Sequence, residues 1–236
     1  MELARVSRPL VRQHRTMSQT LSPTPRTRLT RHRERASEDG ADLLAIIREA
    51  LVCHVGIVRD GEPVVLPSIH AADPDGPDEG GTLYLHGSVA APWLIQAPGQ
   101  VVCATFTLVD AVVLARAAFS HSMNYRSAVV YGAARRVDDP AERDHALRLM
   151  VDHVVPGRTE TLRANTRKEL AATAVIAIPL AEASVKARTG GPKDEPEDVA
   201  TGTWAGVVPL SISAGTVEPD RDGPVPDDVR RRLADW

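Results

Sequence analysis

The sequence predicts a mainly β protein, built as an antiparallel barrel with a few helices at its periphery. About seven or eight short apolar runs alternate with turn residues along the 236-residue chain, which is typical of antiparallel strands. Helical periodicity is confined to a few short segments. The glycine motifs of doubly wound nucleotide-binding sheets, G-x-G-x-x-G and G-x-x-x-x-G-K-[ST], are absent from the sequence, so a barrel is favoured over a parallel sheet.

The composition divides the chain into one domain flanked by two tails. Residues 1–39 are rich in arginine and proline and show little apolar periodicity, which predicts a largely disordered tail. Such an arm is compatible with nucleic-acid binding, but this one has no aromatic residue for base stacking, so we interpret it as an extended leader, with Met17 as an alternative start. Residues 40–210 are the predicted domain, and residues 211–236 are a charged tail.

The first half of the domain is predicted to begin with a helix and a β-hairpin. Apolar residues between Leu43 and Leu51 recur with helical spacing after Gly40, so a short helix should cover one end of the barrel. Residues 52–58 and 63–69 form the hairpin, and residues 70–81 form a solvent loop. The elements expected next are a strand over 82–86, a helix over 89–95 capped by Ser88, and strands over 101–108 and 112–116 with a turn at 109–111.

The second half mixes strands with helices. Asp139-Pro140 marks the start of a helix over 141–155, because proline is favoured in the first turn of a helix. The other predicted elements are a strand over 127–137, a short helix over 167–172, strands over 174–180 and 204–210, an open stretch over 189–202 that is mobile or a lid, and a short helix over 227–233.

A dense polar cluster lies between two apolar runs at residues 120–127. Its hydroxyl, imidazole, amide and guanidinium groups suit an anion with several oxygens, such as a phosphate. The same pattern also fits a hairpin with a polar tip, and the residues by themselves leave both interpretations open. The cluster consists of Ser120, His121, Ser122, Asn124, Tyr125, Arg126 and Ser127.

This cluster belongs to a set of motifs that resembles a known family. The string HSMNYRS-x-VV-x-G, preceded by LYLHGS and followed by ASVKAR and WAGVVPL, is similar to the flavin-binding split-barrel proteins related to pyridoxamine 5′-phosphate oxidase. More narrowly, it resembles the nitroimidazole-resistance, or NimA-like, branch of that family. The resemblance runs from about residue 26 to about residue 210 and implies an antiparallel split β-barrel.

The resemblance also implies a flavoprotein. FMN would lie in the groove between the two copies of a homodimer, and the protein would be an oxidoreductase that passes electrons from a reduced nicotinamide to a small-molecule acceptor, with nitro compounds as one candidate class. The basic residue that relatives carry shortly after the His-Gly-Ser turn is missing here, so Arg126, helped by Arg116, should meet the phosphate charge. The residues that the resemblance implicates in cofactor binding are Pro67, Ser68, His86, Gly87, Ser88, Arg116, Asn124, Tyr125, Arg126, Ser127 and Trp204.

His70 is the candidate catalytic residue. It follows Pro67-Ser68, in the region where the resembled branch places a histidine or tyrosine near the flavin ring, and its ordinary pKa suits proton donation near neutral pH. The alternative is a non-catalytic barrel that binds haem, a deazaflavin or FMN. For haem, the candidate axial ligands are His54, His70 and His121.

Charge and cysteine content argue against several other classes. A net charge of −3 gives no pull toward nucleic acid or an anionic membrane, and no apolar run is long enough to span a bilayer, so we expect a cytoplasmic protein. The two cysteines, Cys53 and Cys103, lie in strand-like contexts that predict buried thiols. No pair of histidines has the spacing of metal ligands, and we expect no metal site.

Overall fold

The protein folds into two antiparallel β-sheets with helices on the outside, in a computed structural model that describes residues 20, 21 and 23–236. The strands are β1 (Ala36–Ser37), β2 (Cys53–Arg59), β3 (Glu62–Ser68), β4 (His70–Asp73), β5 (Thr82–Ser88), β6 (Val101–Leu114), β7 (Ser122–Ala133), β8 (Arg135–Arg136), β9 (Thr173–Pro179), β10 (Glu182–Arg188) and β11 (Gly206–Pro209). The helices are α1 (Gly40–Glu49), α2 (Pro92–Gln96), α3 (Pro140–Val154), α4 (Arg167–Ala172), α5 (Pro196–Ala200) and α6 (Asp227–Asp235). None of the helices in the described part of the chain is long and apolar enough to cross a membrane.

The larger sheet has seven strands and the smaller has four. The large sheet is ordered β1-β10-β7-β6-β2-β3, and β11 pairs with the second half of β6. The small sheet is ordered β4-β5-β9-β8, and the pairings in both sheets are antiparallel. The predicted class, antiparallel β with a few peripheral helices, is therefore the observed one.

The long hairpin of β6 and β7 corrects two predictions. Residues 101–114 form one strand rather than two, because β7 pairs along both halves and the expected turn is only a bulge between Val109 and Ala111. Most of the polar cluster is not a hairpin tip, since β7 already begins at Ser122 and pairs Ser127 with Thr107. A single turn of 3-10 helix over residues 118–120 makes the connection between the strands.

Two other local predictions are wrong. Residues 70–73, expected in a loop, form β4, where His70 pairs with Leu85 of the small sheet. The helix expected from residue 89 is α2 and begins only at Pro92, because the proline occupies its first turn and Ala91 is the N-cap. Ser88 does not cap it, and its Oγ instead accepts a hydrogen bond from the backbone N–H of Ala90 at 3.2 Å.

The described part of the predicted N-terminal tail contacts the domain. Its strand β1 pairs with β10, and both Thr24 and Arg26 donate hydrogen bonds to Glu182, whereas the bridge between Thr20 and Asp39 lies within the tail itself. The rest of that predicted tail, residues 1–19 and 22, lies outside the described residues.

The main core lies between α1 and the two sheets, and a smaller core lies beneath α3. The predicted apolar face of α1 is buried at Leu43, Leu44, Ile46 and Ile47. In the smaller core, buried side chains of α3 such as Met150 pack against Tyr84 on the small sheet. This packing sets α3 beside β5, and the space left between them is the candidate site described below.

Candidate functional site

The predicted phosphate-binding residues on β7 point to two different sides of the sheet. Successive side chains of a strand alternate, so Asn124 and Arg126 share one face while Tyr125 and Ser127 share the other. The donors that the sequence places within eight residues therefore do not converge on one point.

Hydrogen bonds within the protein already engage two of these residues. Asn124 is buried, and its Nδ2 donates to the carbonyl of Gly190 at 3.2 Å while its Oδ1 accepts from Arg188. Ser127 Oγ donates to the carbonyl of Lys186 on β10 at 3.3 Å. Both contacts tie β7 to β10 and to the chain that follows it.

Arg126, the predicted main partner of the phosphate, lies between two carboxylates. Its Nη2 donates to Asp110 at 2.7 Å and to Glu49 at 2.7 Å, and its Nε donates to Asp110 as well. The hydrogen bonds to Glu49 and Asp110 raise the pKa of Arg126 further above its usual value. The guanidinium charge is neutralised within the protein, and Asp110 is the residue expelled from the β6–β7 ladder at the bulge.

Arg116, the predicted helper, is also paired with a carboxylate. Asp194 accepts a hydrogen bond from the backbone N–H of Arg116 at 3.0 Å and another from its Nη1 at 2.9 Å. The side chain of Asp194 is only 2% exposed. Residues 78 positions apart in the sequence thus form this contact, which no local pattern could reveal.

The predicted His-Gly-Ser turn lies on the other sheet, at the end of β5. Gly87 lies close to α2: a Cβ at this position would lie 2.9 Å from Leu94 Cδ1, and the leucine side chain would have to shift. Ser88 is exposed, whereas His86 is partly buried. The structure shows no hydrogen bond that joins these residues to the polar residues of β7.

The remaining predicted contacts lie on the surface of the large sheet. Pro67 and Ser68 end β3, an edge strand, and Ser68 Oγ donates to the carbonyl of Ile69 at 2.9 Å. Trp204 is 67% exposed, and its ring lies over Gly206 at the start of β11. Neither position is joined to the His-Gly-Ser turn or to the polar cluster by a described hydrogen bond.

His70, the candidate catalytic residue, is fully buried in the core. Its Nε2 is 2.9 Å from the carbonyl oxygen of Ile47, and its ring packs against Phe106 at a centroid distance of 4.8 Å and against His153 at 4.5 Å. Burial lowers the pKa of His70 to about 4, so the ring is neutral at pH 7. In this conformation the ring has no access to a substrate in solvent.

The site that the sequence did not reveal is an apolar cavity between α3, β5 and the chain that follows α3. Its volume is about 480 Å³, within the range of pockets that bind small molecules and cofactors. Its lining is mostly aliphatic and includes His86, three arginines and one carboxylate. The lining residues are Ile69, His86, Leu147, Arg148, Met150, Val151, Val154, Val155, Arg158, Thr159, Leu162, Arg163, Asn165, Glu169 and Thr173.

His86 borders this cavity with a polar side chain that is not engaged by the described residues. Its Nδ1 is buried and has no hydrogen-bond partner among the described residues. Burial also lowers the pKa of His86, which keeps the imidazole neutral and able to bind a metal ion through nitrogen. A buried nitrogen without a partner costs free energy, and the ring that carries it borders the cavity, where a ligand would contact the imidazole.

The arginines give the cavity a positive component. Arg163 is paired with Glu169 at 2.6 Å, and Arg158 is paired with Asp228 of α6 at 3.3 Å. Arg148 makes no ion pair with any residue in the described ranges. An apolar chamber with a neutral imidazole and an available guanidinium is suited to a flat apolar group that carries carboxylates.

A signal for this cavity is present in the sequence. Leu147, Met150, Val151 and Val154 form an apolar stripe along the predicted helix, yet Val151 is 37% exposed in the structure. The small sheet therefore covers only part of the apolar face of α3. A helix with more apolar surface than its neighbours can bury is one indication of a ligand pocket.

Comparisons with known proteins extend over most of the chain. A protein-family model described as pyridoxamine 5′-phosphate oxidase matches residues 39–187. The structure of the flavocytochrome Anf3 from Azotobacter vinelandii is similar with 36% sequence identity and a TM-score of 0.80, over 89% of this chain and 97% of that chain. The FAD and heme binding protein from Mycobacterium smegmatis is similar with 37% identity and a TM-score of 0.75, over 84% of this chain and 97% of that chain.

A more distant similarity links the chain to a nitroimidazole-resistance candidate. The structure of a candidate 5-nitroimidazole antibiotic resistance protein from Bacteroides thetaiotaomicron shows 26% identity and a TM-score of 0.52, over 64% of this chain and 85% of that chain. No curated protein sequence matches the chain.

Proposed function

Since this chain belongs to the pyridoxamine 5′-phosphate oxidase-like family of split-barrel proteins, we propose that it is a redox protein that binds haem and a flavin. The resemblance inferred from the sequence motifs and the split-barrel fold class are both confirmed by this membership. The cofactors named for the two relatives that are more than 35% identical, a flavocytochrome and an FAD- and haem-binding protein, support the proposal for this chain.

The observation that carries the haem part of the proposal is the unpartnered His86 in the apolar cavity. Haem needs an axial ligand, an apolar surround and a cation for its propionates. His86 would be the ligand, the aliphatic side chains of α3 would cover the ring, and Arg148 would pair with a propionate. His54 and His121, two ligands considered from the sequence, are exposed, and the third, His70, has its Nε2 against the Ile47 carbonyl.

The protein's own contribution would be to hold the cofactor, exclude water and tune its potential. Haem supplies one-electron chemistry when it is bound. The low pKa of His86 keeps its ring in the neutral form that ligates iron, so no proton has to leave it near pH 7. The Arg158–Asp228 ion pair joins α6 to the segment that follows α3, from which Arg158 and Thr159 line the cavity.

The flavin part of the proposal is FMN, with a reduced nicotinamide as electron donor and a small molecule or the haem as acceptor. A flavin is supported by the names of the two relatives, a flavocytochrome and an FAD and heme binding protein, and the choice of FMN is supported by the motif resemblance. In the structure Arg126 and Arg116 are occupied by Asp110, Glu49 and Asp194, so an FMN phosphate at either arginine has to compete with a carboxylate.

A homodimer is part of the proposal, as is a cytoplasmic location. Exposed apolar side chains cluster along β11 and the segment around it, where Val207 and Val208 are 38% and 43% exposed. Phe119, in the turn between β6 and β7, is fully exposed. Apolar surface of this kind is typical of a region that a second protein surface covers.

The test begins with the absorption spectrum of the purified protein, followed by addition of hemin to any protein that lacks a Soret band. We expect a Soret band in the wild type and its loss in His86→Ala, because the variant removes the imidazole ligand and leaves the aliphatic side chains of the cavity in place. His121→Ala is the matched control, since His121 is exposed and bonds only to the carbonyl of Ala117 in the structure. The flavin released on denaturation identifies the second cofactor as FMN or FAD.

Two results would contradict the proposal. A full Soret band in His86→Ala would remove this cavity as the haem site. A wild-type protein that binds neither hemin nor a flavin would show that the fold has lost the cofactors of its relatives.

A further inference from the structure

The contact between Asp194 and Arg116 has the composition of an anion-binding site filled from within the chain. The carboxylate accepts from the backbone N–H of Arg116 at 3.0 Å and from Nη1 at 2.9 Å. Burial by itself would raise the pKa of Asp194, but the hydrogen bonds from Arg116 outweigh it and lower that pKa. The charged carboxylate is therefore the form that the site selects.

One donor of this site is left without a partner. Arg116 Nε is buried and makes no hydrogen bond to any residue that the structure describes. The two oxygens of Asp194 accept from the backbone N–H and from Nη1 of Arg116, and neither is placed to accept from Nε. A phosphate group has one or two oxygens more and carries a larger negative charge, and it could accept from all three donors of Arg116.

The segment that carries Asp194 is loosely attached elsewhere. Residues 189–205, here called the strap, connect β10 to β11 and contain the short helix α5, which buries none of its residues. At its start, the carbonyls of Gly190 and Gly191 accept from Arg188 at 3.3 Å and 3.1 Å. Beyond that point, Asp194 makes the ion pair that holds the strap to the body of the domain.

We propose that Asp194 occupies a phosphate site, and that the phosphate group of a small-molecule ligand displaces it and releases the strap. The three donors of Arg116 then bind the phosphate, and the part of the strap that carries Asp194 moves away from Arg116. Where the phosphate belongs to a flavin, the inference rests on the proposed function, and Asp194 then regulates flavin binding by competing with the phosphate for Arg116. Where it is inorganic phosphate, the inference stands independently of either cofactor.

Competition from the Asp194 carboxylate determines how much weaker phosphate binding is in the wild type than in a variant without it. A minor open state commonly holds about 1–10% of the population, and ligand affinity falls by the fraction that is open. Removing the competing carboxylate should therefore tighten phosphate binding by about 10- to 100-fold. Chloride at equal ionic strength should not reproduce the effect, because it is a single atom with one negative charge and cannot place a separate acceptor at each donor.

The experiment compares Asp194→Ala with Asp198→Ala by calorimetric titration with inorganic phosphate. Asp198 is the matched control, because it lies on the same strap and its side chain makes no described hydrogen bond. We expect Asp194→Ala to bind phosphate at least tenfold more tightly than the wild type, and Asp198→Ala to bind like the wild type. Equal affinity in all three proteins would overturn the inference.

Hydrogen exchange of the wild-type protein gives a second readout that needs no variant. Phosphate should speed exchange of the amides in residues 189–205, and unchanged or slower exchange there would also overturn the inference. Comparing FMN with riboflavin, which lacks the phosphate, distinguishes the sources: faster exchange with FMN alone assigns the phosphate of the flavin. The Soret band reports the His86 cavity separately, so failure of this inference and failure of the proposed function are distinguishable.

Discussion

Replacing Arg135 should destabilise the protein much more than replacing its neighbour Arg136, although both arginines form ion pairs at the same distance. Arg135 Nε and Nη2 each donate to Asp78 at 2.8 Å, and the guanidinium also pairs with Glu142 of α3. Arg136 Nε lies 2.8 Å from Asp138. The two pairs differ in burial: Asp78 and Glu142 are 12% and 18% exposed, whereas Arg136 and Asp138 are 68% and 73% exposed.

The expected magnitudes follow from this difference. Removing one partner of a buried ion pair costs about 3–5 kcal/mol, because a desolvated charge is left behind. Arg135 itself is 35% exposed, which reduces the expected cost of Arg135→Met to about 2–3 kcal/mol after solvent screening. Arg136→Met should cost about 0–1 kcal/mol. For a protein of this size the difference corresponds to roughly 4–8 °C in Tm.

Urea unfolding of the two variants at several pH values tests both the size and the origin of the effect. Burial by itself would raise the pKa of Asp78, but the hydrogen bonds from Arg135 lower it below the unfolded-state pKa of 3.8. The ionised Asp78 therefore stabilises the fold fully above pH 3.8, and this contribution is lost as pH falls through the lower pKa of the folded state. The gap between Arg135→Met and the wild type should therefore be widest near neutral pH and shrink in acid. Equal midpoints for Arg135→Met and Arg136→Met at pH 7 would refute the reasoning.

Two further predictions concern the core. Gly132→Ala should lower the free energy of unfolding by about 1–3 kcal/mol, because its Cβ would lie 2.7 Å from Ile178 Cγ2. Gly56→Ala is the control and should be tolerated, because the atom nearest to its Cβ would lie at 3.7 Å. Similar urea midpoints for the two variants would contradict this prediction. Burial lowers the pKa of His70 to about 4, whereas the unfolded chain binds this proton near pH 6.5. The free energy of unfolding should therefore fall by on the order of 3 kcal/mol as pH decreases from 6.5 to 4. His70→Phe should lose that part of the pH dependence of stability, and an unchanged slope would show that another group is responsible.

Elements with strong local signals were predicted closely. Asp139 accepts from the N–H of Glu142 and Pro140 follows it, so α3 begins where the capping residues indicate. Thr166 and Glu169 form a capping box, and α4 covers the residues predicted for it. These signals act within one or two helical turns, and distant residues do not change them.

Elements whose state depends on a partner strand were predicted less well. Residues 109–111 have the composition of a turn, but pairing with β7 on both sides turns them into a bulge. His70 follows a strand of the large sheet and precedes a glycine-rich loop, yet pairing with β5 makes it the first residue of a new strand in the small sheet. The hydrogen-bond ladder stabilises these residues more than their intrinsic turn preference destabilises them, and the ladder is formed by residues distant in sequence.

The same distinction separates the motifs from the site. The order of the motifs was sufficient to predict the family and its antiparallel fold, because motif spacing is a property of the sequence alone. The state of each charged side chain was decided by the tertiary structure: Glu49 neutralises Arg126 from 77 positions away, and Asp194 neutralises Arg116 from 78 positions away. The cavity around His86 likewise exists only because α3, β5 and the following segment meet in space. Sequence by itself determined which donors the chain carries, whereas only folding decided which of them remain free for a ligand, because Coulomb interactions and burial depend on distances that the chain sets when it packs.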